Sequence, residues 1–216
     1  MKEGPEAVRA AGDWAGVPLE EDQIEVLMKY RDWLLEEGIV AGGLGPREGE
    51  RIWRRHLADS LTFAKAWEGG APLEILDVGT GVGLPGIPLA IAFPECMVTL
   101  LDRAGRRISL LHRVVRILGL SNIVIEQADI FAVADEWGGL VFRGSVKAAE
   151  AVGLSARLLD EGGVAVLGVS ARSEVPEHGS DLVGIATALE LEADLVEVPE
   201  NHLDGGAWLL IMRSRG

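Results

Sequence analysis

The chain has 216 residues and a mass of 23.1 kDa, which suits one globular domain with at most a small appendage. Its 48% hydrophobic and 25% charged residues can form a sizeable core, which excludes an intrinsically disordered protein. One cysteine, four scattered histidines and no apolar run of about 18 residues exclude a disulfide framework and a membrane span, and argue against a metal centre. Without a signal-peptide pattern at the N-terminus, we expect a soluble cytoplasmic protein that binds neither metal nor membrane.

The N-terminal part is predicted to be helical. Apolar residues at helical spacing in segment 20–37 indicate one helix, and glycines between positions 38 and 45 end it. Pro46 is predicted to open a second helix, whose buried face carries Ile52, His56 or Leu57, Leu61 and Ala64. A glycine- and proline-containing stretch then closes a helical extension over residues 1–70.

From residue 71 onward, predicted strands alternate with helices. The strands are LEILDVG, MVTLLD, NIVIEQAD, GGLVFRG and VAVLGVS, and the helix before the last of them is predicted to end at the pair Gly162 and Gly163. This alternation indicates a parallel sheet covered on both faces. In the tail, DLVEVP and AWLLIMR flank a turn-rich segment and predict an antiparallel hairpin. We therefore predict one α/β domain over residues 71–216, packed with the extension into a single globular unit.

The most informative segment is the glycine-rich turn DVGTGVGLPG, residues 77–86, between the first strand and the following helix. Its glycines allow positive φ and a close approach of ligand to backbone, and the helix N-terminus favours an anionic group. Gly81, Gly83 and Gly86 fit the dinucleotide fingerprint, and glycines in such a turn can also serve geometry alone. An acidic residue before Gly-x-Gly-x-Gly, however, resembles motif I of S-adenosylmethionine-dependent methyltransferases.

Acidic residues also follow the second and third predicted strands. Asp102 can accept both ribose hydroxyls of either cofactor class, or it can cap the next helix. Asp129 can accept from an adenine amino group while the N–H of Ile130 binds a ring nitrogen, or it can be an ordinary loop residue. Acids after three strands and a reversed terminal strand favour a methyltransferase over an oxidoreductase, which would need a substrate domain.

These segments resemble one protein family. LDVGTGVGLPGIPLAI, the following LLDRAGRRISLLHRVVRILGLSNIVIEQAD and the upstream IWRRHLADSL look like the ribosomal RNA small subunit methyltransferase G family, also called GidB, in its actinobacterial form. The resemblance implies a Rossmann-like class I S-adenosylmethionine-dependent methyltransferase with a seven-stranded, mostly parallel sheet, an antiparallel terminal hairpin and an N-terminal helical extension. It also implies methylation of N7 of one guanine in 16S ribosomal RNA, within the 30S subunit or an assembly intermediate. We expect a monomer.

The resemblance assigns roles to individual residues. It implies that S-adenosyl-L-methionine is bound by Asp77, Gly79, Gly81, Gly83, Leu84, Asp102, Asp129, Ile130 and Arg143. His56, which shares the RHLADS segment with Asp59, and Arg143 are the expected catalytic residues. Since guanine N7 carries a lone pair and no proton, the reaction needs alignment rather than a general base. Arg143 would hold the cofactor carboxylate or a phosphate, or donate to guanine O6; the ordinary alternatives are a surface ion pair for Arg143 and a core or capping role for His56.

The net charge of −14 opposes a nucleic-acid partner at first sight, but the charge is unevenly distributed. Residues 51–116 carry 9 basic and 6 acidic side chains, a net charge of +3, whereas the flanking parts carry −7 and −10. The arginines expected to contact RNA phosphates are Arg51, Arg54, Arg55, Arg103, Arg106 and Arg107. A solvated helix face is the alternative, above all for Arg113 and Arg116.

The chain departs from the family pattern at three places. Family members commonly have Ser-Arg-Ala where residues 142–144 read Phe-Arg-Gly, and a lysine near the end of the fifth strand, where residues 166–169 read VLGV. The common Asn-Leu-Thr segment before the second helix is replaced by VAGGLG. Motif I is untouched, so these departures concern substrate binding more than cofactor binding.

Overall fold

The computed structural model describes residues 4–170, 175–199, 203 and 205–215. Seven strands form one sheet: β1 Glu74–Val78, β2 Met97–Leu101, β3 Ile123–Glu126, β4 Trp137–Phe142, β5 Leu159–Ser170, β6 Glu192–Val198 and β7 Ala207–Arg213. Their order is β3-β2-β1-β4-β5-β7-β6, and only β7 runs antiparallel to its neighbours. The predicted sheet, mostly parallel with an antiparallel terminal hairpin, is confirmed.

Helices cover both faces of this sheet. They are α1 Pro5–Ala15, α2 Glu21–Trp33, α3 Asp59–Thr62, α4 Gly86–Ala92, α5 Gly105–Leu118, α6 Ala148–Leu158 and α7 Val175–Ala188. A π-helical turn, Leu34–Gly38, continues α2. The short α3 is the middle of a mixed-pitch helix, residues 49–67, which begins with a 3₁₀ turn, runs through the π-helical Ile52–Ala58 and ends with the 3₁₀ segment Phe63–Trp67.

The two faces of the sheet bury two apolar clusters. Along β1, Ile75 packs with α1, α2, α4 and α5, whereas Leu76 and Val78 pack with α6 and α7. Successive strand side chains point to opposite faces, so a strand covered on both sides reads as one continuous apolar run. The N-terminal helices and the sheet share the first cluster. The division into domains at residue 70 stays a prediction.

Helix α4 begins at the glycine-rich turn and is buried along its whole length. A helix that is apolar on every side must be covered on every side, and α2 provides the outer cover. The side-chain amide of Gln23 on α2 donates to the carbonyl of Ile91 at 2.6 Å. The N-terminal helices are therefore packed beside the turn that the sequence singled out.

Two local predictions fail, and two helices were missed, each for an identifiable reason. Pro46 does not open a helix: it lies in a turn, and helical structure begins at Gly49. Gly162 and Gly163 do not cap α6, which ends at Leu158; they lie within β5, where its pairing with β4 shifts register. Helices α1 and α7 were not predicted: α1 is amphipathic, but its buried face consists mainly of small residues, which give a weak apolar signal, and α7 has no marked apolar stripe.

None of the helices in the described residues combines the length and apolar character that a bilayer crossing needs.

Candidate active site

A cleft of about 450 Å³ lies at the carboxyl ends of the parallel strands. It is positioned where β1 has β2 on one side and β4 on the other, the switch point at which open α/β sheets bind ligands. The cleft, which we call the glycine-loop cleft, is lined by the turn after β1 and by the residues following β2, β3 and β4. The glycine-rich turn and the segments after the strands, which the sequence placed together, do meet here.

Gly79 and Gly81 both have positive φ, of 68° and 65°, and both line this cleft. A Cβ added to Gly79 would lie 2.5 Å from the Cβ of Ser145, so a glycine is needed for the turn to approach the segment after β4. A Cβ added to Gly81 would meet nothing within 4 Å. Gly81 therefore leaves its backbone open to a ligand.

Asp77 and Gly83 lie behind the turn rather than in the lining of the cleft. The buried carboxylate of Asp77 accepts from the Thr80 hydroxyl at 2.6 Å and from the N–H of Gly86 at 2.7 Å. Burial raises the pKa of Asp77 to about 6, although these hydrogen bonds oppose the rise. Asp77 thus shapes the turn from behind. Gly83 likewise packs inward, since a Cβ there would lie 2.3 Å from the Cδ1 of Ile87.

Tyr30 connects the N-terminal helices to the same turn. Its hydroxyl, on α2, donates to the carbonyl of Val82 at 2.9 Å, and the side chain is fully buried and stacked on Trp33. Burial and the nearby Asp77 raise the pKa of Tyr30, so the hydroxyl keeps its proton for this bond. Sequence analysis missed this residue, because the pairing joins positions 52 residues apart.

Tyr30→Phe is expected to weaken ligand binding in the glycine-loop cleft as well as stability. The Val82 carbonyl would lose its partner, at a cost of about 1–3 kcal/mol in the free energy of unfolding. Urea unfolding and calorimetric titration with S-adenosylmethionine measure the two effects. Ser155→Ala is the matched control, since its buried hydroxyl bonds to Ala151 within α6 at 2.8 Å. Equal ligand affinity in both variants would refute a positioning role for Tyr30.

The acids after β2 and β3 are placed differently. The buried Asp102 accepts from the N–H groups of Gly81 at 3.1 Å and Ala104 at 2.9 Å, and from Nη1 of Arg107 at 3.1 Å. Asp102 does not cap α5, whose N-cap position is Ala104 without a side-chain cap; it holds the segment just before that helix. These contacts do not exclude a ligand, because a carboxylate offers about four acceptor positions. Asp129 is exposed and accepts from the N–H of Phe131 at 3.1 Å, and Ile130 beside it is buried. Both acids and Ile130 line the cleft.

Phe131 and Ser145 are among the residues of the lining that were not predicted. Phe131 is 59% exposed at the cleft. In the sequence, its position directly after Asp129 and Ile130 was the one feature that could have indicated a role in ligand binding. Ser145 has a buried hydroxyl oxygen without a hydrogen-bond partner among the described residues. It lies two positions after Arg143, where the sequence offered no pattern.

Arg143 is held by three groups from the mixed-pitch helix. Its Nε donates to the carboxylate of Asp59 at 2.8 Å, and its Nη2 donates to the carbonyl of Arg55 at 3.0 Å. The same Nη2 lies 3.2 Å from Nδ1 of His56. Within the described part of the chain, Nη1 has no hydrogen-bond partner. The guanidinium is thus held in place through Nε and Nη2, and the N–H groups of Nη1 are available to a ligand.

This arrangement determines the tautomer of His56. An arginine only donates, so Nδ1 must accept, and the ring proton must lie on Nε2, 3.0 Å from the carboxylate of Glu48. Burial and the charge of Arg143 lower the pKa of His56 to about 4, which keeps the ring neutral. Both ring nitrogens are engaged, so His56 acts on the site by positioning Arg143. Glu48 was missed, because an acid eight positions before a histidine is not a recognised pattern.

His56 and Asp77 make opposite contributions to stability in acid. Folded His56 has a pKa of about 4, below the ordinary 6.5, so its contribution is fully present above pH 6.5 and is lost as the pH falls toward 4. Folded Asp77 has a pKa of about 6, above the ordinary 3.8, so its contribution is present below pH 3.8 and is lost as the pH rises toward 6. Between these limits the two effects offset each other.

Single substitutions are expected to separate these effects. His56→Asn retains an acceptor for Arg143 and removes the His56 contribution, so relative to wild type the stability should fall more as the pH rises from 4 to 6. Asp77→Asn removes the Asp77 contribution, so relative to wild type the stability should rise more over the same interval. Urea midpoints measured along this pH series test both. Parallel pH profiles for the two variants would contradict the assignment.

A second cavity, of about 610 Å³, adjoins the glycine-loop cleft. Its lining comes from the mixed-pitch helix, the end of β5 and the β6–β7 hairpin, so we call it the hairpin pocket. The two cavities share Arg143 and Gly144. Arg143 therefore stands between them.

Four of the six predicted RNA-binding arginines line the two cavities. Arg54 and Arg55 line the hairpin pocket and Arg103 and Arg107 line the glycine-loop cleft, whereas the exposed Arg106 and the partly buried Arg51 line neither. Glu48 lies 3.0 Å from Arg55 and 3.9 Å from Arg51 and partly neutralises both. Arg113 pairs with Glu37 at 3.1 Å, in keeping with the solvated-face alternative for this residue. Their contacts with RNA stay a prediction.

The comparison with known sequences decides the family. The profile of GidB, rRNA small subunit methyltransferase G, matches residues 23–183, which include the glycine-rich turn, both acids and Arg143. A Ribosomal RNA small subunit methyltransferase G from Mycobacterium marinum is 34% identical over 197 residues, covering 88% of this chain and 84% of the relative. The chain belongs to the rRNA small subunit methyltransferase G family. The predicted resemblance is confirmed.

Comparison with solved structures identifies the fold of this chain. The cyclase SpnF has a TM-score of 0.60 at 14% identity, covering 93% of this chain and 98% of that one. The N-methyltransferase NodS from Bradyrhizobium japonicum, in complex with S-adenosyl-L-homocysteine, has a TM-score of 0.52 at 20% identity, covering 74% and 86%. These likenesses confirm the class I methyltransferase fold. One of the two proteins is a cyclase, so the fold by itself does not specify the reaction.

No group of three or more side chains suited to holding a metal ion occurs in the part of the chain that the structure describes. His178 and His202 lie outside the residues whose side chains are described.

Proposed function

We propose that this protein transfers a methyl group from S-adenosylmethionine to N7 of one guanine in the 16S RNA of the small ribosomal subunit. The observation that carries the proposal is an open glycine-loop cleft that ends at a partly unpaired Arg143, in a member of the rRNA small subunit methyltransferase G family. A ribosomal substrate also agrees with the expected cytoplasmic location.

The lining of the glycine-loop cleft fits the cofactor. Gly81 offers open backbone, so a ligand can lie directly against the turn. Asp102 and Asp129 have acceptor positions left for ribose hydroxyls and an adenine amino group. The unpartnered hydroxyl of Ser145 and Nη1 of Arg143 are polar groups suited to the amino-acid end of the cofactor. Asp77 and Gly83 contribute from behind by holding the turn in shape.

The chemistry requires alignment and no proton transfer. When bound, S-adenosylmethionine supplies a methyl carbon on a sulfonium centre: the N7 lone pair forms the new N–C bond while the S–C electron pair returns to sulfur. Because N7 carries no proton, the reaction needs no general base. It is therefore compatible with a His56 whose two ring nitrogens are both hydrogen-bonded within the protein. The task of the chain is to place donor and acceptor in line and to exclude water. Arg143, fixed by Asp59 and His56, orients a ligand group at the boundary of the two cavities.

The arginines around both cavities support an RNA partner despite the charge of −14. Arg54 and Arg55 lie at one cavity, and Arg103 and Arg107 at the other, so phosphates on either side of the reacting base would meet positive charge. Such contacts release counterions, and we expect RNA affinity to fall steeply with rising salt concentration.

Methyl transfer from labelled S-adenosylmethionine tests the proposal. The substrates are deproteinised 16S RNA and 30S subunits, both from cells lacking the modification, and the modified base is mapped by chain cleavage at N7-methylguanosine. We expect one methyl group at one guanine in at least one of the two substrates. Cofactor binding without transfer to either would indicate a catalytically weak homologue, and transfer to a different RNA would identify another substrate. Either result would refute the proposal.

A further inference from the structure

The hairpin pocket has an aromatic wall. Phe63, at the end of the mixed-pitch helix, lies over β5 so closely that a Cβ on Gly168 would be 2.7 Å from its Cζ. Trp208, on β7, is partly exposed in the same lining. Gly168 thus makes room for the aromatic ring of Phe63. Phe63 is buried, with 1% exposure, and supports this wall from behind, so the Trp208 indole is the flat aromatic surface on which a nucleobase can stack.

The other wall of the hairpin pocket is cationic. Among the described residues of its lining, Arg54, Arg55 and Arg143 accompany the carboxylate of Asp59, and His56 is neutral. Glu48, outside the lining, pairs with Arg55. Arg54 also reaches the hairpin itself, with Nη1 3.4 Å from the carbonyl of Leu203. Arginine offers five donors in a fork that matches phosphate oxygens. A cationic groove beside an aromatic wall is the arrangement that binds single-stranded nucleic acid.

The location of the hairpin pocket restricts what its ligand can do. It shares Arg143 and Gly144 with the glycine-loop cleft, so a ligand in the pocket lies next to a ligand in the cleft. Its volume of about 610 Å³ is within the range of small-molecule sites and suits one nucleotide. A base can enter such a pocket only when it is unstacked from its neighbours.

We propose that the hairpin pocket receives the acceptor guanosine nucleotide, unstacked from the RNA, with its base against Trp208 and its phosphates at Arg54 and Arg55. This inference rests on the proposed function and deepens it by assigning a binding role to the β6–β7 hairpin. The base then approaches the glycine-loop cleft at Arg143, whose Nη1 is positioned to donate to an acceptor on the base edge.

Steady-state methylation of 16S RNA at saturating S-adenosylmethionine tests the role of Trp208. Trp208→Ala should lower kcat/KM about tenfold or more through lost stacking, and Trp208→Phe should restore most of it. Trp208→Leu, which keeps apolar volume without an aromatic face, should resemble the alanine variant and guards against a loss caused by misfolding. Trp137→Ala is the matched control, because this tryptophan is also half-buried and lies at the opposite end of the sheet, at the start of β4.

A binding measurement separates this inference from the proposed function. The S-adenosylhomocysteine-loaded protein is titrated with 7-methylguanosine 5′-monophosphate, which we expect to bind wild type and Trp208→Phe but to bind Trp208→Ala at least about tenfold more weakly. Equal binding and equal kcat/KM in wild type and Trp208→Ala would overturn the pocket assignment while leaving the methyl-transfer function intact. If wild type transfers no methyl group to 16S RNA, the proposed function fails, and the nucleotide titration alone decides the pocket.

Discussion

Replacing Arg143 by alanine is expected to reduce kcat/KM for methyl transfer by about ten- to hundredfold, the equivalent of about 1–3 kcal/mol for a charged hydrogen bond. Arg143 contacts both His56 and Asp59 and lines both cavities. Its loss removes the donor at their boundary and also leaves the carboxylate of Asp59 without its cation. Single-turnover methylation of 16S RNA measures the catalytic part, and urea unfolding measures the structural part.

Two variants separate these parts of the Arg143 effect. Arg143→Lys keeps the positive charge but cannot donate to Asp59 and His56 while leaving a second group free, so it should recover stability more than activity. Arg213→Ala removes an exposed ion pair to Asp194 at the far end of β7 and should change neither. If Arg143→Ala lowers stability alone, with kcat/KM preserved at a temperature where it is folded, Arg143 is a structural ion-pair residue and our assignment is wrong.

Gly81→Val is expected to lower the affinity for S-adenosylmethionine by at least a hundredfold, about 2.8 kcal/mol. The Cβ at Gly81 points into open space in the lining of the glycine-loop cleft, where the isopropyl group would occupy the volume assigned to the cofactor. The main cost to the free energy of unfolding comes from the backbone, because a residue with a side chain at a φ of 65° is strained by about 1–2 kcal/mol. Calorimetric titration with S-adenosylmethionine gives the dissociation constant directly.

Gly119→Val is the matched control for Gly81→Val. Gly119 caps the C-terminus of α5 with φ of 69°, and its Cβ would also meet nothing within 4 Å, but it does not line the cleft. The two substitutions should cost similar stability, and only the one at Gly81 should abolish binding. Gly81→Ala, with a smaller group, provides the same comparison if the valine variant does not fold. Equal cofactor affinity at both positions would place the ligand elsewhere.

The departures from the family pattern acquire a physical explanation in part. Within residues 166–169 of β5, Phe63 fills the space next to Gly168, so any side chain at that position would have to displace an aromatic ring. At Gly144, φ is 65° and a Cβ would meet nothing within 4 Å, so the turn after β4 stays open beside both cavities. Nothing in the structure explains Phe142 beyond its burial against the α6 and α7 side of the sheet.

Much of the site could be predicted because it lies close to regular elements. Asp102 and Asp129 come directly after apolar strands, and parallel strands bring their carboxyl ends to one edge, so their meeting at the cleft follows from chain order. Gly79 and Gly81 lie between a strand and a helix, a position that itself indicates a ligand turn. The RHLADS segment and Arg143 were found by resemblance, and their mutual contacts were not predicted.

The amino-acid sequence by itself determined the sheet, the glycine-rich turn and the family of this protein, since periodicity and short motifs are local properties of the chain. Only the tertiary structure decided that Tyr30 supports the turn, that Glu48 fixes the tautomer of His56, and that Arg143 separates two cavities. These contacts join residues distant in sequence or depend on the orientation of single side chains. They depend on how the helices pack against the sheet, which no spacing along the chain encodes.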